Sequence, residues 1–253
     1  MSPALAGWAA FGLFVGAYGT LVGAGGGFLV VPVLMWVAGA DPAVAAGTSL
    51  VVVLFNACSG TVTYARRGQV DWRTALLFAA ATLPGAWLGP RLLAGIPKHA
   101  FQIAFGALLL ALAAFLLLRP TAPPEGGGPP TRRGLMGGAL FSLGIGFLSS
   151  LLGIGGGFLH VPFLIYALRF PPSLAISTSQ ATLVFTAAAG VAGHARLGHV
   201  RWELALPIGL GALAGAQAGV WLARRAKVPT VIRALAVAVA LVGLRCLWMG
   251  LHP

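Results

Sequence analysis

The sequence contains few charged residues, and acidic ones above all. Only 4 of its 253 residues are Asp or Glu, and 8% are charged in total, whereas soluble domains carry about 25% charged residues. Cysteine is also scarce, since Cys58 and Cys246 are the only two. Two cysteines in apolar stretches are typical of small packing residues rather than of a disulfide framework. These absences exclude a cytosolic enzyme, a disordered chain and a secreted disulfide scaffold.

Apolar residues take the place of the missing charge. The chain is 58% hydrophobic, and its mean hydropathy is +0.93. A bilayer core is crossed by about 20 apolar residues in a helix. Uncharged runs lie near 4–38, 43–65, 74–90, 100–118, 134–168, 173–193 and 204–223, and an apolar run at 229–250 contains Arg233 and Arg245 near its ends. The sequence therefore predicts an all-α polytopic membrane protein, in which the runs 4–38 and 134–168 are too long for a single span.

The chain is an internal duplication. Shifting the sequence by 130 positions aligns residues 16–93 with 146–223 without a gap, and about 30 of these 78 positions are identical. Between the copies lies RPTAPPEGGGPPTRR, a Pro- and Gly-rich stretch that reads as an extramembrane linker. We therefore predict a first transmembrane repeat at 1–118, a linker at 119–133 and a second transmembrane repeat at 134–253.

Both over-long runs are interrupted at the same place. GAGGGFLVVP ends at Pro32, and GIGGGFLHVP ends at Pro162. Because glycine is a poor helix former and proline suits the first position of a helix, we expect a helix, an extended glycine stretch and a short helix starting near Pro32 or Pro162. Each half then has one Gly/Pro-broken segment plus three transmembrane helices. Paired breaks of this kind point to a transporter site.

Glycines also permit close helix packing, and this alternative suits Gly85, Gly89, Gly215 and Gly219.

The basic residues predict how the two halves are oriented. The net charge is +12, and the basic residues sit at the ends of apolar runs, which is typical of cytoplasmic loops rather than of nucleic-acid binding. If each half crossed the membrane four times, the two sides would carry about 9 and 7 basic residues, which is no bias. If each broken segment instead enters and returns, or crosses twice, the split is about 11 to 5. This favours inverted repeats, with linker 119–133 cytoplasmic and both termini outside.

Polar groups in the spans favour an anionic substrate. The four acids, Asp41, Asp71, Glu125 and Glu203, lie at predicted helix ends or in the linker, so a carboxylate relay or cation site is not indicated. Free N–H groups at helix breaks attract anions, and hydroxyls and amides can complete the shell. The predicted substrate-binding residues are Gly25, Gly26, Gly27, Phe28, Thr48, Ser49, Gly155, Gly156, Gly157, Phe158, Thr178, Ser179 and Gln180.

Three further residues have both a functional and an ordinary interpretation. His160 stands where the first repeat has Val30, so it is a candidate for proton coupling or for a neutral, backbone-bonded role. Arg66 and its counterpart Arg196 are candidates for recruiting anions at cavity mouths, or for contacting lipid headgroups. No metal site and no cofactor are predicted.

The duplicated G-x-G-G-G-F-L-x-V-P motif, the T-S pair that follows in each half and the A-R-x-G-x-V-x-W loop resemble the TauE/SafE sulfite-exporter family, also called the toluene sulfonate uptake permease family. The resemblance implies a permease of a bacterial-type inner membrane that carries small sulfur-containing anions, such as sulfite or organosulfonates. His160 stands where this family more usually has an apolar residue.

The sequence thus predicts a secondary carrier, not an enzyme, with a small anion, lipid and protons as its partners. An anion channel, or a carrier for another small organic or inorganic anion, is the alternative. A serine hydrolase using Ser179 or Ser49 with His160 is a weaker one, because no third residue orients the histidine.

Overall fold

The computed structural model describes residues 3–93, 95–118, 131–223, 225 and 228–252, and this part of the chain is helical and without strands. The first repeat forms α1 (Pro3–Val22), α2 (Gly27–Val37), α3 (Pro42–Arg66), α4 (Trp72–Leu93) and α5 (Lys98–Leu118). The second forms α6 (Arg132–Leu152), α7 (Gly157–Pro162, continued by a π-helical turn at Phe163–Ala167), α8 (Pro172–Arg196), α9 (Trp202–Ala223) and α10 (Val228–Leu251). Each half therefore has one broken segment and three further long helices, as predicted.

Seven of the described helices are long and apolar enough to cross a bilayer: α1, α3, α4, α5, α6, α8 and α9. Local signals set several of their ends. Pro42 and Pro172 open α3 and α8, where the missing N–H costs nothing. Asp71 Oδ1 accepts a hydrogen bond from Thr74 N at 3.1 Å and so caps the start of α4. The chain is a multi-pass membrane protein, as its composition predicts.

The two repeats run in opposite directions. Gly47 near the start of α3 lies against His194 near the end of α8, so these two helices are antiparallel. Gly12 faces Ile208 and Gly16 faces Ala212, so α1 and α9 are parallel. Because a short loop joins α8 to α9, these two helices are antiparallel, so α3, α9 and α1 are all parallel. Helix α2 must therefore return toward the side where α1 began. The repeats are therefore inverted, as the charge pattern predicts.

We call the side where α5 ends and α6 begins the linker side, and the side where α1 begins and α10 ends the terminus side. Helices α3 and α8 form the centre, with 72% and 61% of their spans buried, against 33–44% for the other spans. Around them the halves interlock, because α1 packs on α9 and α6 on α4. Helices α5 and α10 pack on each other.

Glycine sets the separation of the interlocking helices. A Cβ added at Gly215 would lie 2.1 Å from Leu13 O, and one added at Gly146 would lie 2.1 Å from Thr82 O. Gly85 and Gly89 meet the backbone of α6 in the same way, and Gly219 meets that of α1. For these glycines outside the breaks, close packing is the correct interpretation.

Candidate functional site

The breaks are tight left-handed turns rather than extended strands. The φ angles lie between 72° and 80° at Gly23, Gly25 and Gly26, and between 70° and 89° at Gly153, Gly155 and Gly156. Only glycine adopts this region without strain, so three such residues in a row of four reverse the chain within one turn. The predicted extended stretch is wrong for this reason.

The short helices begin five residues earlier than predicted. Helix α2 starts at Gly27 and α7 at Gly157, so Pro32 and Pro162 lie inside helical segments and do not open them. The left-handed residue before each helix fixes its start. A proline at the sixth position of a helix removes only its own backbone hydrogen bond to the carbonyl four residues earlier, so the helix tolerates it this near its start. After Pro162 the chain widens into the π-helical turn, whereas α2 stays α-helical to Val37.

The two breaks touch each other at the centre of the bundle. A Cβ added at Gly27 would lie 2.5 Å from Gly153 O, and one added at Gly157 would lie 2.4 Å from Gly23 O. Gly25 and Gly155 both pack against Val53 of α3 and Leu183 of α8. The two broken segments therefore meet at the centre.

Ser49 and Ser179 fasten each break to the opposite repeat. Ser49 Oγ donates to Gly153 O at 2.8 Å, and Ser179 Oγ donates to Gly23 O at 3.2 Å. Both side chains are buried, with no exposed surface. These hydroxyls hold the carbonyls freed at each break, and the two predicted site residues do lie at the breaks.

The N–H groups at the start of each short helix are unpaired. Within the described residues, no acceptor is bonded to Gly26 N, Gly27 N or Phe28 N, nor to the corresponding groups of Gly156, Gly157 and Phe158. All six residues are buried. Two helix N-termini with free donors therefore lie side by side, an arrangement that favours negative charge.

Thr48 and Thr178 bind loops at the two ends of the bundle rather than the breaks. Thr178 Oγ1 accepts from Asp71 N at 3.1 Å on the linker side, and Thr48 Oγ1 accepts from Arg201 N at 3.0 Å on the terminus side. Each threonine thus fixes the loop before the fourth helix of the other repeat, α4 or α9.

Gln180 belongs to a group of buried polar side chains that lie far apart in the sequence. Its side chain is fully buried, and both its amide atoms lack a hydrogen-bond partner. A Cβ added at Gly60 would lie 3.6 Å from Gln180 Cδ and 3.3 Å from Thr20 Cγ2. Thr20 Oγ1 in turn donates to Asn56 Oδ1 at 2.5 Å. Asn56 was visible as an amide within a span, but no sequence signal connects Thr20 to it.

His160 faces away from the break contact. Its Nε2 lies 3.1 Å from Ser142 Oγ of α6, and its ring stacks on Phe78 of α4 at 5.9 Å between centroids. The hydrolase alternative needs His160 beside Ser49 or Ser179, but its hydroxyl partner is Ser142. The two arginines differ in their settings: Arg196 lies over the Trp87 ring at 4.8 Å, whereas Arg66 is exposed at the end of α3.

A cavity of about 310 Å³ opens toward the linker side. Its wall includes Tyr64 from the end of α3, Ser173 and Ile176 from the start of α8, and Val161 and Pro162 from α7. Ile176 is one helical turn from Gln180, and Tyr64 is one turn from Gly60, so the cavity leads toward the buried polar group. A second, apolar cavity of about 420 Å³ lies between α5 and the segments α6 and α7.

Comparison with known proteins agrees with this architecture. The profile described as Sulfite exporter TauE/SafE matches residues 8–246. Probable membrane transporter protein YunE of Bacillus subtilis is 29% identical, over 95% of this chain and 96% of its own. A probable membrane transporter protein of Xylella fastidiosa is 36% identical, over 81% of this chain and 79% of its own. No solved structure matches the chain. The chain therefore belongs to the TauE/SafE sulfite exporter family of membrane transporters.

Proposed function

We propose that the protein is a secondary carrier for a small sulfur-containing oxoanion, such as sulfite or an organosulfonate, bound at the two glycine breaks. One observation carries the proposal: the N-termini of α2 and α7 meet at the centre with their N–H groups unpaired. Such donors stabilise an anion without a basic side chain, because the helix dipoles and the free N–H groups act together. The family description supports sulfur as the element.

The distribution of acids supports an anion over a cation. Of the four acids, Asp41, Asp71 and Glu203 lie at the N-termini of α3, α4 and α9, and Glu125 falls outside the described residues. No described helix thus carries a carboxylate in its middle, where it would repel an anion held at the breaks.

The inverted repeats support alternating access. Pseudosymmetric halves can rock about a fixed central site, exposing it first on one side and then on the other. The linker-side cavity corresponds to one such state. On the terminus side, Arg245 lies over the Trp36 ring at 4.7 Å, and Trp36 is the counterpart of Tyr166 in the wall of the cavity. A cavity that opens to the linker side, opposite the Arg245–Trp36 contact, is the arrangement that we expect of a carrier.

The proposed orientation places the linker side in the cytoplasm of a bacterial-type inner membrane, because about 11 of the 16 basic residues then lie inside. The cavity would accordingly open to the cytoplasm, and export is the direction we propose. His160 is kept as the coupling candidate for protons, acting through α4 and α6 rather than by touching the substrate.

Counterflow in proteoliposomes tests the function. Vesicles loaded with sulfite, sulfoacetate, taurine, thiosulfate or sulfate are assayed for saturable exchange, with and without a pH gradient. We expect exchange of at least one of these anions, and its loss when Gly26 and Gly156 are both replaced by leucine in protein that still inserts. Gly137→Leu on α6 is the matched control, since a Cβ there meets no atom within 4 Å. Absence of exchange for every anion in folded wild-type protein contradicts the sulfur assignment.

A further inference from the structure

A group of buried polar atoms remains without partners about one helical turn beyond Ile176 in the wall of the linker-side cavity. Asn56 Nδ2, Gln180 Nε2 and Gln180 Oε1 have no hydrogen-bond partner, and both side chains have no exposed surface. A buried amide without a partner costs about 1–3 kcal/mol, so such groups are rare in folded proteins unless a ligand or water satisfies them. Both amides lie beside Thr20, so together they suit one ligand.

The free groups are chiefly donors. Because Thr20 Oγ1 donates to Asn56 Oδ1, the amide oxygen is occupied and the Nδ2 hydrogens are left free. A Cβ added at Gly19 would lie 2.9 Å from Asn56 Nδ2 and 2.6 Å from Gly26 N. The unpaired amide of Asn56 and the unpaired N–H at the start of α2 therefore lie close together, both packed against Gly19, whose lack of a side chain permits this approach.

The two amides have no counterpart in the other half of the duplication, although the Ser149 and Ser150 hydroxyls there are also buried without a partner. The counterparts of Thr20, Asn56 and Gln180 are Ser150, Thr186 and Leu50. Thr186 is already paired, at 2.7 Å from Thr82 Oγ1 and 3.1 Å from Thr182 O. The counterpart of Gly19 is Ser149, whose side chain occupies the space beside Gly156. Duplication alone does not explain the amides, which belong to the linker-side half of the bundle.

We propose that the Asn56 and Gln180 amides, together with Gly26 N–H, form an oxyanion-binding site beyond the wall of the linker-side cavity. This inference rests on the proposed function and deepens it, because it makes the site one-sided. An anion entering from the linker side binds these neutral donors first and the N–H groups of both breaks afterwards. The ligand chemistry is a negatively charged oxygen, whether of a sulfonate, a sulfite or a carboxylate.

Transport kinetics give the first test. Hydrogen bonds to a charged group contribute about 1.5–3 kcal/mol, so losing one raises KM for the exchanged anion by about 10- to 100-fold. We expect this for Gln180→Leu, which copies Leu50, and for Asn56→Thr, which copies Thr186. Gln180→Glu abolishes exchange, because it replaces a donor by a negative charge.

The matched control is Gln217→Leu. The Gln217 amide is fully paired, donating to Ser59 Oγ at 2.7 Å and accepting from Thr63 Oγ1 at 2.9 Å. This variant keeps KM within about twofold of the wild type, a factor worth about 0.4 kcal/mol. A KM that is unchanged in both Gln180→Leu and Asn56→Thr, in protein that still exchanges anions, overturns the inference while leaving the proposed function standing.

Thiol labelling tests the site without knowledge of the transported substrate. In a Cys58→Ala, Cys246→Ala background, Ser173→Cys places a thiol in the cavity wall. We expect the anionic reagent 2-sulfonatoethyl methanethiosulfonate to modify it faster than the cationic trimethylammonium-ethyl analogue, and methanesulfonate to slow the reaction. Adding Gln180→Glu reverses the preference.

The two tests separate the two proposals. The first outcome is that the anionic reagent reacts faster and methanesulfonate slows it, while no sulfur anion is exchanged. In that case the anion site stands and the sulfur assignment falls. If the cationic reagent reacts as fast, and methanesulfonate gives no protection, the site is refuted whatever the protein transports.

Discussion

Replacing Gly146 by alanine destabilises the bundle, whereas the same change at Gly144 does not. Both glycines belong to α6, two residues apart. A Cβ at Gly146 would lie 2.1 Å from Thr82 O and 2.7 Å from Thr82 Cα, which are backbone atoms that can move only with α4. A Cβ at Gly144 meets nothing within 4 Å.

The magnitudes follow from these distances. Forcing a methyl group into a packed interface costs about 1–3 kcal/mol, which lowers Tm by about 2–12 °C in a chain of this size. Alanine in place of an exposed helical glycine stabilises by about 0.5–1 kcal/mol. The two variants therefore move Tm in opposite directions.

Thermal denaturation of detergent-solubilised protein, read by size-exclusion chromatography, measures the difference. Counterflow on the same preparations checks the functional consequence, since α6 leads directly into the second break at Gly153. A Tm for Gly146→Ala equal to or above that of Gly144→Ala refutes the reasoning that glycine sets the separation of α4 and α6.

Three further predictions concern the site. Ser49→Ala removes the hydroxyl bonded to Gly153 O, so we expect a loss of about 0.5–1.5 kcal/mol of stability and slower exchange; chemical denaturation and counterflow measure both, and unchanged values contradict the fastening role. His160→Val copies Val30 and keeps anion exchange while removing its response to a pH gradient; a gradient response equal to that of the wild type excludes His160 as the coupling group. A reporter active only in the cytoplasm is active when fused within linker 119–133 and inactive at the C-terminus, and the reverse pattern inverts the proposed orientation.

The short helices begin at glycine and not, as the motif had suggested, at the prolines. Proline suits the first position of a helix, and GGG followed by proline suggests a helix opening at Pro32. The actual start depends on Gly26, which is left-handed and packs so closely against α1 that an added Cβ would lie 2.5 Å from Val15 Cγ1. Backbone conformation at a glycine is decided by its surroundings, because glycine itself has almost no preference.

The sequence alone determined the membrane class, the duplication, the two breaks and the inverted topology. These follow from local composition, from repetition and from the sum of charges on each side, none of which depends on the packing of particular helices. Tertiary structure decided that α1 packs on α9 and α6 on α4, that His160 faces Ser142, and that Thr20, Asn56 and Gln180 gather in one place. Apolar helices in lipid present similar faces in every direction, so their partners are chosen by close steric fit between glycines and backbone, which hydropathy does not encode.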